Sequence, residues 1–472
     1  MDMVMKWSQN EKETECGRGG GGGGGGAATS ELSLLGSDQV LAILYYLPVQ
    51  AVISFGLTCH RFRQLAETDA LWAYICTREW GSMAVQAWPA VGKERGGWKR
   101  VYRQMLFLKA VSWHRFHQED LWPTQRASHS MVAVAGKVAV YGGGCAGGRH
   151  LDDTWVAPLP SQIGDGVGWQ QICVGIPSGR FGQSCTVVQE TLVMFGGIND
   201  KGTRQCDTWV NLGISGHGSP SWQLLEVVSS PPSRGAHSGC YGGDKKVVIY
   251  GGIGSDGLRL GDTWMLDLAE SPATWHEVIT PVAPMPRSGH TLTWIGGKRM
   301  VLFGGRGTHF EVLNDVWVLD MEDDFPSWVE LRACELQPVQ DAPVPRAGHS
   351  ATLIFGGRIL IYGGEDARRF RKGDVWVLDP SAGVQICSSS SCIPNFSQRS
   401  DNSIGNKLAR RFWKKLKQWG QPPSKRSFHG ACALDSGHSI LVFGGMVDGE
   451  IMPAATAGLD FDAELYMLQL VP

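Results

Sequence analysis

Six times along the chain an apolar, strand-like run ends in two glycines. The runs are "VAVYGG" ending at Gly143, "LVMFGG" at Gly197, "VVIYGG" at Gly252, "MVLFGG" at Gly305, "ILIYGG" at Gly364 and "ILVFGG" at Gly445. Successive pairs lie 54, 55, 53, 59 and 81 residues apart. Each run is rich in the β-branched and aromatic side chains that fit a pleated, half-buried surface. Paired glycines let the backbone turn sharply and approach a neighbour where any Cβ would collide. A unit of this size buries too little apolar surface alone, so the units must stack on one another.

Three further landmarks recur in register. Upstream of each pair stands an arginine: Arg126, Arg180, Arg234, Arg287, Arg346 and Arg426. The third residue after it is histidine in five cases and Gln183 in the second. Downstream, five repeats carry Asp-Thr-Trp or Asp-Val-Trp, with Trp155, Trp209, Trp264, Trp317 and Trp376, and the sixth puts Tyr466 in the aromatic place. A Trp-x-x-apolar element closes four repeats, at Trp169, Trp222, Trp275 and Trp328.

These landmarks resemble kelch repeats, whose fold is a β-propeller with four strands per blade. The resemblance runs from about residue 111 to the C-terminus and implies six blades. The sixth repeat lacks its own Trp-x-x-apolar strand, but "WHRF" at Trp113 has that pattern, 13 residues before Arg126. The equivalent gaps at Trp169, Trp222 and Trp275 are 11, 12 and 12. The Trp113 strand is therefore expected to complete blade six and close the ring, which removes open sheet edges. By the same register, Trp413 and Leu416 in the basic "KLARRFWKKLKQW" stretch read as the outer strand of blade five and not as an amphipathic helix. A Ser-rich insertion at about 384–406 accounts for the long fifth spacing and reads as a loop.

Upstream, residues 1–30 end in a glycine-rich run and read as a disordered tail. They leave no room for a folded domain of the usual size. Residues 31–80 read as a small all-α module. Ser37 suits an N-cap, with Val40, Leu41, Leu44 and Leu47 at helical spacing up to Pro48. A second helix is expected from Pro48, and a third from Asp69 with Leu71, Trp72 and Ile75 on one face. A bundle this small is marginal alone and needs a partner surface. Residues 81–110 read as a helical linker containing a short helix at Tyr102–Lys109. Leu34, Asp38, Leu44, Leu47, Pro48, the "LTCHRFRQL" stretch and Trp72 resemble an F-box, with Leu35 where that family usually has proline. The resemblance implies that Leu34, Leu35, Leu41, Leu44, Leu47 and Pro48 contact a Skp-type adaptor, and through it a cullin.

The six arginines invite an anion-binding reading, but each repeat also carries an aspartate: Asp153, Asp207, Asp262, Asp315, Asp374, and Asp460 or Asp462. Buried arginines need partners, so structural ion pairs are expected. The histidines read as hydrogen-bonding groups, because Gln183 keeps hydrogen bonding and loses metal ligation. Metal and cofactor are expected to be absent. No nucleophile–base spacing, P-loop or dinucleotide fingerprint occurs, and the set needed by copper-radical kelch oxidases is not evident. A formal net charge of −2 gives no reason to expect nucleic-acid binding, and no run is long and apolar enough for a membrane span or a secretory signal. Twelve scattered cysteines without metal spacing fit reduced thiols in a soluble cytoplasmic or nuclear protein.

The whole chain resembles the plant-type F-box/kelch-repeat proteins, without the flavin-binding sensor domain some of them carry. The resemblance implies a non-catalytic substrate-recognition subunit of a Skp–cullin–F-box ubiquitin ligase, which raises the local concentration of a substrate lysine. The rival reading is a propeller scaffold or metal-dependent kelch enzyme with a non-functional F-box. Propellers bind through variable loops. The loops after the glycine pairs offer Arg149, Arg204, Arg259, Arg306, Arg368 and Arg369 as candidate contacts to an unknown protein substrate.

Overall fold

The computed structural model describes residues 35–80, 97–106, 108–118, 120–159, 166–214, 221–333, 342–385, 411–434, 437–448 and 459–471. The disordered-tail reading, Leu34, and nearly all of the Ser-rich insertion lie outside the described residues.

Six four-stranded blades surround a central channel. Blades one to four contain separate sheets, and blades five and six join edge to edge into one sheet of eight strands. The join is the strand Ala110–Arg115. It pairs antiparallel with Leu465–Val471, the third strand of blade six, placing Trp113 opposite Leu468. Its other edge runs parallel to Trp413–Gly420, the outer strand of blade five. The chain thus closes blade six with residues that precede blade one, as the Trp113 register predicts. The strand at Trp413–Gly420 also bears out the strand reading of the basic stretch. It buries Trp413 and Leu416, three residues apart, and leaves Lys414 half-buried and Lys415 exposed between them.

The N-terminal module has four helices: α1 (Ser37–Tyr46), α2 (Val49–Gly56), α3 (His60–Ala66) and α4 (Asp69–Trp80). Two details differ from the sequence reading. Gly36, not Ser37, is the N-cap residue of α1, and the Gln39 side chain accepts its N–H, so Ser37 is the first helical residue. The short α3 was not expected as a separate helix, because seven residues show little periodicity. The linker helix α5 runs Gly97–Leu106, earlier than the expected Tyr102–Lys109. Asp69 explains the shift: its Oδ1 accepts the Trp98 N–H at 2.6 Å, capping α5 from another helix.

Helix α5 is shared between two cores. Tyr102 packs into the module core with Val40, Leu44, Trp72 and Ile75. Val101 and Met105, with Leu108, pack against Phe355, Tyr362 and Leu468 of blades five and six. Trp98 touches both clusters. The apolar faces that a bundle of this size cannot satisfy alone are thereby covered in cis. Arg358 Nη1 pins the junction by donating to the Met105 carbonyl at 2.9 Å.

Candidate functional site

Each blade's arginine, aspartate and glycine pair form one unit. Arg126 donates from Nη1 to Asp153 Oδ1 at 2.6 Å and from Nη2 to Oδ2 at 2.9 Å. Its Nη1 also reaches the Gly142 carbonyl. The fork repeats at Arg180–Asp207, Arg234–Asp262, Arg287–Asp315 and Arg346–Asp374, and the tryptophan two residues after each aspartate donates to the same carboxylate. These arginines are fully buried and fully engaged, so they hold the frame and are not available to a ligand. Blade six uses Asp462 rather than Asp460, through a single contact from Arg426 Nη2 at 2.8 Å.

The carboxylates record the difference. Burial alone would raise the pKa of Asp153, Asp262 and Asp374, but the arginine forks and tryptophan donors outweigh it and hold all three below 3.8. At Asp462 there is one arginine contact and no tryptophan, so burial prevails and its pKa is raised.

A second ring faces the channel. The residue two after each arginine is left-handed: Ser128, Gly182, Ala236, Gly289, Gly348 and Phe428, with φ between 53° and 65°. Their backbones form a closed circuit of six hydrogen bonds. Ser128 donates to Phe428, Phe428 to Gly348, Gly348 to Gly289, Gly289 to Ala236, Ala236 to Gly182 and Gly182 to Ser128, at 2.6–2.9 Å. Phe428 is the one large side chain among the six. Its ring lies over Gly348, where an added Cβ would stand 2.8 Å from it.

Three of the five histidines one residue further on link adjacent blades through a hydroxyl. His237 pairs with Ser184 at 2.9 Å, His349 with Thr291 at 3.0 Å and His429 with Ser350 at 2.8 Å. Gln183 does the same in blade two, donating to Ser130 Oγ and the Tyr141 carbonyl. His129 has no partner among the described residues, because blade six puts Gly430 where other blades have a hydroxyl. Burial, reinforced by the arginine three residues away, pushes His129 and His237 down to about 3, so both are neutral. Among the described residues no group of three His, Cys, Asp or Glu is placed to hold a metal ion.

The accessible chemistry lies at one end of the channel, in a mouth of about 510 Å³. Arg259, Arg306 and Arg369 line it, as does Arg371, which the sequence reading did not single out. Arg149, Arg204 and Arg368 are not among the lining residues; Arg149 and Arg368 are exposed, and Arg204 donates within its own loop at Gly202. Two lining arginines clasp neighbouring blades: Arg306 to Glu365 at 3.1 Å and Arg371 to Asp448 at 2.7 Å. Arg259 bonds Ser288 Oγ and lies 4.5 Å from the Phe310 ring centroid. Burial and the nearby Arg306 lower its pKa against a partial offset from Glu311. The charged mouth was legible as loop arginines; which of them turn inward was not.

Chain direction separates the mouth from the helical module. The glycine pairs and the left-handed ring lie at the mouth end, and each innermost strand runs from there to a hairpin at the far end. In blade five that hairpin is Phe355–Gly357, the site against which α4 and α5 pack. The module therefore sits on the face opposite the mouth. Of the expected adaptor contacts, Leu44 is buried in the module core, Leu35, Leu41 and Leu47 pack partly against it, and Pro48 is half-buried. The exposed apolar side chains are instead Ile43, Tyr46, Leu57 and Tyr74.

An F-box-like family model matches residues 37–78, and the model of the KLHDC2/KLHL20/DRC7 kelch-repeats domain matches 182–384. The chain is 45% identical over 460 residues to the F-box/kelch-repeat protein At1g51550 of Arabidopsis thaliana, covering 94% of this chain and 93% of that one. The chain belongs to the F-box/kelch-repeat family. Adagio protein 3 of Arabidopsis thaliana is 30% identical over 416 residues, which cover 87% of this family member but 62% of the relative. The solved structure of YjhT matches with a TM-score of 0.50 at 14% identity over 73% of the chain and 95% of YjhT, a likeness of fold alone. F-box/kelch architecture is typical of non-enzymatic adaptors. No described helix is long and apolar enough to cross a membrane.

Proposed function

We propose that this F-box/kelch protein is the substrate-recognition subunit of a Skp–cullin–F-box ubiquitin ligase. The helical module would dock on a Skp-type adaptor and the propeller would hold the protein to be ubiquitinated. No residue of the chain is required for chemistry; its contribution is effective concentration.

The observation that carries this reading is an unpartnered apolar face on a module whose core is otherwise satisfied. Ile43 and Tyr46 are three apart on α1 and are 42% and 84% exposed, while Leu44 beside them is 1% exposed. An exposed pair of this kind marks an interaction surface. Because α5 belongs to both cores, a docked adaptor would hold the propeller in a fixed orientation with its mouth directed away from the module.

The test is co-purification of the full chain with a Skp-type adaptor, comparing the native protein with an Ile43→Asp/Tyr46→Asp variant. Both positions are exposed, so the variant is expected to fold with unchanged melting and to lose the adaptor. Leu44→Asp is unsuitable, since it would unfold the module. Absence of adaptor binding by the intact chain, or equal binding by the variant, would overturn the reading.

A further inference from the structure

The loop after each glycine pair makes the same tight turn in five blades. The first residue of the turn accepts from the fourth and donates to the fifth. The pairs are Cys145 with Gly148 and Arg149, Asn199 with Gly202 and Thr203, Gly254 with Gly257 and Leu258, Gly307 with Phe310 and Glu311, and Asp366 with Arg369 and Phe370. The fourth residue is left-handed in all five. It is glycine in blades one to three, where φ is 75°, 73° and 80°. In blades four and five it is Phe310 at 65° and Arg369 at 63°.

Glycine accepts this conformation freely, whereas Phe and Arg are strained in it. Strained residues persist where something other than local stability keeps them. Burial does not keep these two, and the contact that Phe310 makes is with the Arg259 guanidinium of the neighbouring turn. Phe310 is 68% exposed, and Arg369 is exposed with no ion pair among the described residues. The fifth residues of the turns in blades three and five are also exposed, Leu258 at 66% and Phe370 at 41%. Arg259 follows Leu258 and also carries no ion pair among the described residues. Blades one and two put glycine at the turn and send no arginine into the mouth. The displayed side chains therefore occupy one sector of the rim, formed by blades three to five.

We propose that this sector is a docking site for a peptide segment that sets Asp or Glu carboxylates beside a large apolar side chain. Arg259 and Arg369 would take the carboxylates, and Phe310 and Phe370 the apolar group. The complementarity is one of charge and of surface: two guanidinium groups with no ion pair among the described residues stand beside exposed aromatic rings, Arg259 held by Ser288 and Phe310. Arg306 and Arg371 are already spoken for by Glu365 and Asp448 and add positive field without being primary contacts. This inference rests on the reading of the propeller as a substrate holder, but it needs no adaptor, so the two fail separately.

The experiment is selection of a random dodecapeptide library on the immobilised full chain, followed by titration of the enriched peptide against variants. Enriched sequences are expected to carry Asp or Glu adjacent to Leu, Phe, Met or Trp. Arg369→Gly and Phe310→Gly should each weaken binding about tenfold, while Arg149→Ala leaves it unchanged. Both glycine variants should melt no lower than the native protein, since glycine relieves the left-handed turn. A structural role predicts the opposite for melting. No enrichment, enrichment without acidic residues, unchanged affinity in both variants, or lower melting of both would overturn the proposal.

Discussion

The indole Nε1 of Trp113 donates to Gln418 Oε1 at 2.7 Å, joining residues 305 positions apart. Gln418 in turn donates to the Gly373 carbonyl of blade five. Other blades use a different partner. Trp222, Trp275 and Trp328 donate to Thr154, Thr208 and Thr263, the middle residue of Asp-Thr-Trp in the preceding blade. Blade five has Asp-Val-Trp, and Val375 offers no hydroxyl, so the closing strand finds its acceptor on the neighbouring outer strand.

That closure has a measurable cost of removal. Trp113 is 1% exposed and packs on Tyr362 and Tyr466. Trp113→Ala is expected to lower stability by about 3–5 kcal/mol. Deletion of residues 111–117 should destabilise the whole propeller, because it reopens two sheet edges. Denaturant unfolding followed by tryptophan fluorescence checks both; a deletion that melts normally would contradict the closure.

The arginine forks predict an asymmetry between single and double substitutions. Arg287→Met strands the Asp315 carboxylate, which is 24% exposed, and should cost about 3 kcal/mol. Adding Asp315→Leu should recover much of that loss, since it removes the uncompensated charge. A double-mutant cycle by thermal melting reads the coupling directly.

The buried histidines predict acid lability well above the carboxylate range. His129, His237, His290, His349 and His429 are all held neutral, with pKa values far below 6.5. A depressed folded-state value gives stability that is complete above the unfolded value and lost as pH falls. The loss should begin near pH 6.5 and amount to about 1.4 kcal/mol per pH unit for each histidine. Asp153, Asp262 and Asp374 act in the same direction only below about pH 4. Melting temperature between pH 7.5 and 5 checks the slope. His237→Gln should flatten it, since Gln183 already fills that place in blade two.

Gly348 is expected to tolerate no side chain. Gly348→Ala meets the Phe428 ring and must also hold φ at 65°. A loss of about 2 kcal/mol or more is predicted. Phe428→Ala in the same chain should remove the steric part and leave the backbone part, which melting of the two variants separates.

Trp98 is the predicted coupling point between module and propeller. Trp98→Ala should cost about 2 kcal/mol and split unfolding into two steps, the helical module melting first. Scanning calorimetry would resolve them; a single cooperative transition would contradict the coupling.

Much of the fold was legible because the constraints repeat. An arginine, a glycine pair, an aspartate and a tryptophan in fixed order define a unit, since hydrogen bonds chain them together within one blade: arginine to glycine, arginine to aspartate and tryptophan to aspartate. Even the closing strand could be placed, because Trp113 lies 13 residues before its arginine, close to the gaps of 11, 12 and 12 at Trp169, Trp222 and Trp275. The site was less legible. Arg371 and Arg368 sit three apart in one basic loop, yet one is buried against Asp448 and the other is exposed. Leu44 and Ile43 are neighbours, yet one fills the core and the other faces outward.

The sequence by itself determined the number of blades, their register, the ion pairs that brace them and the presence of an F-box-like module. These follow from local spacing, which fixes which strands and turns each segment can form. The tertiary structure alone decided which loop arginines enter the mouth, that α5 serves two cores, and that module and mouth lie on opposite faces. Those depend on how segments hundreds of residues apart are brought together, and no local spacing encodes that.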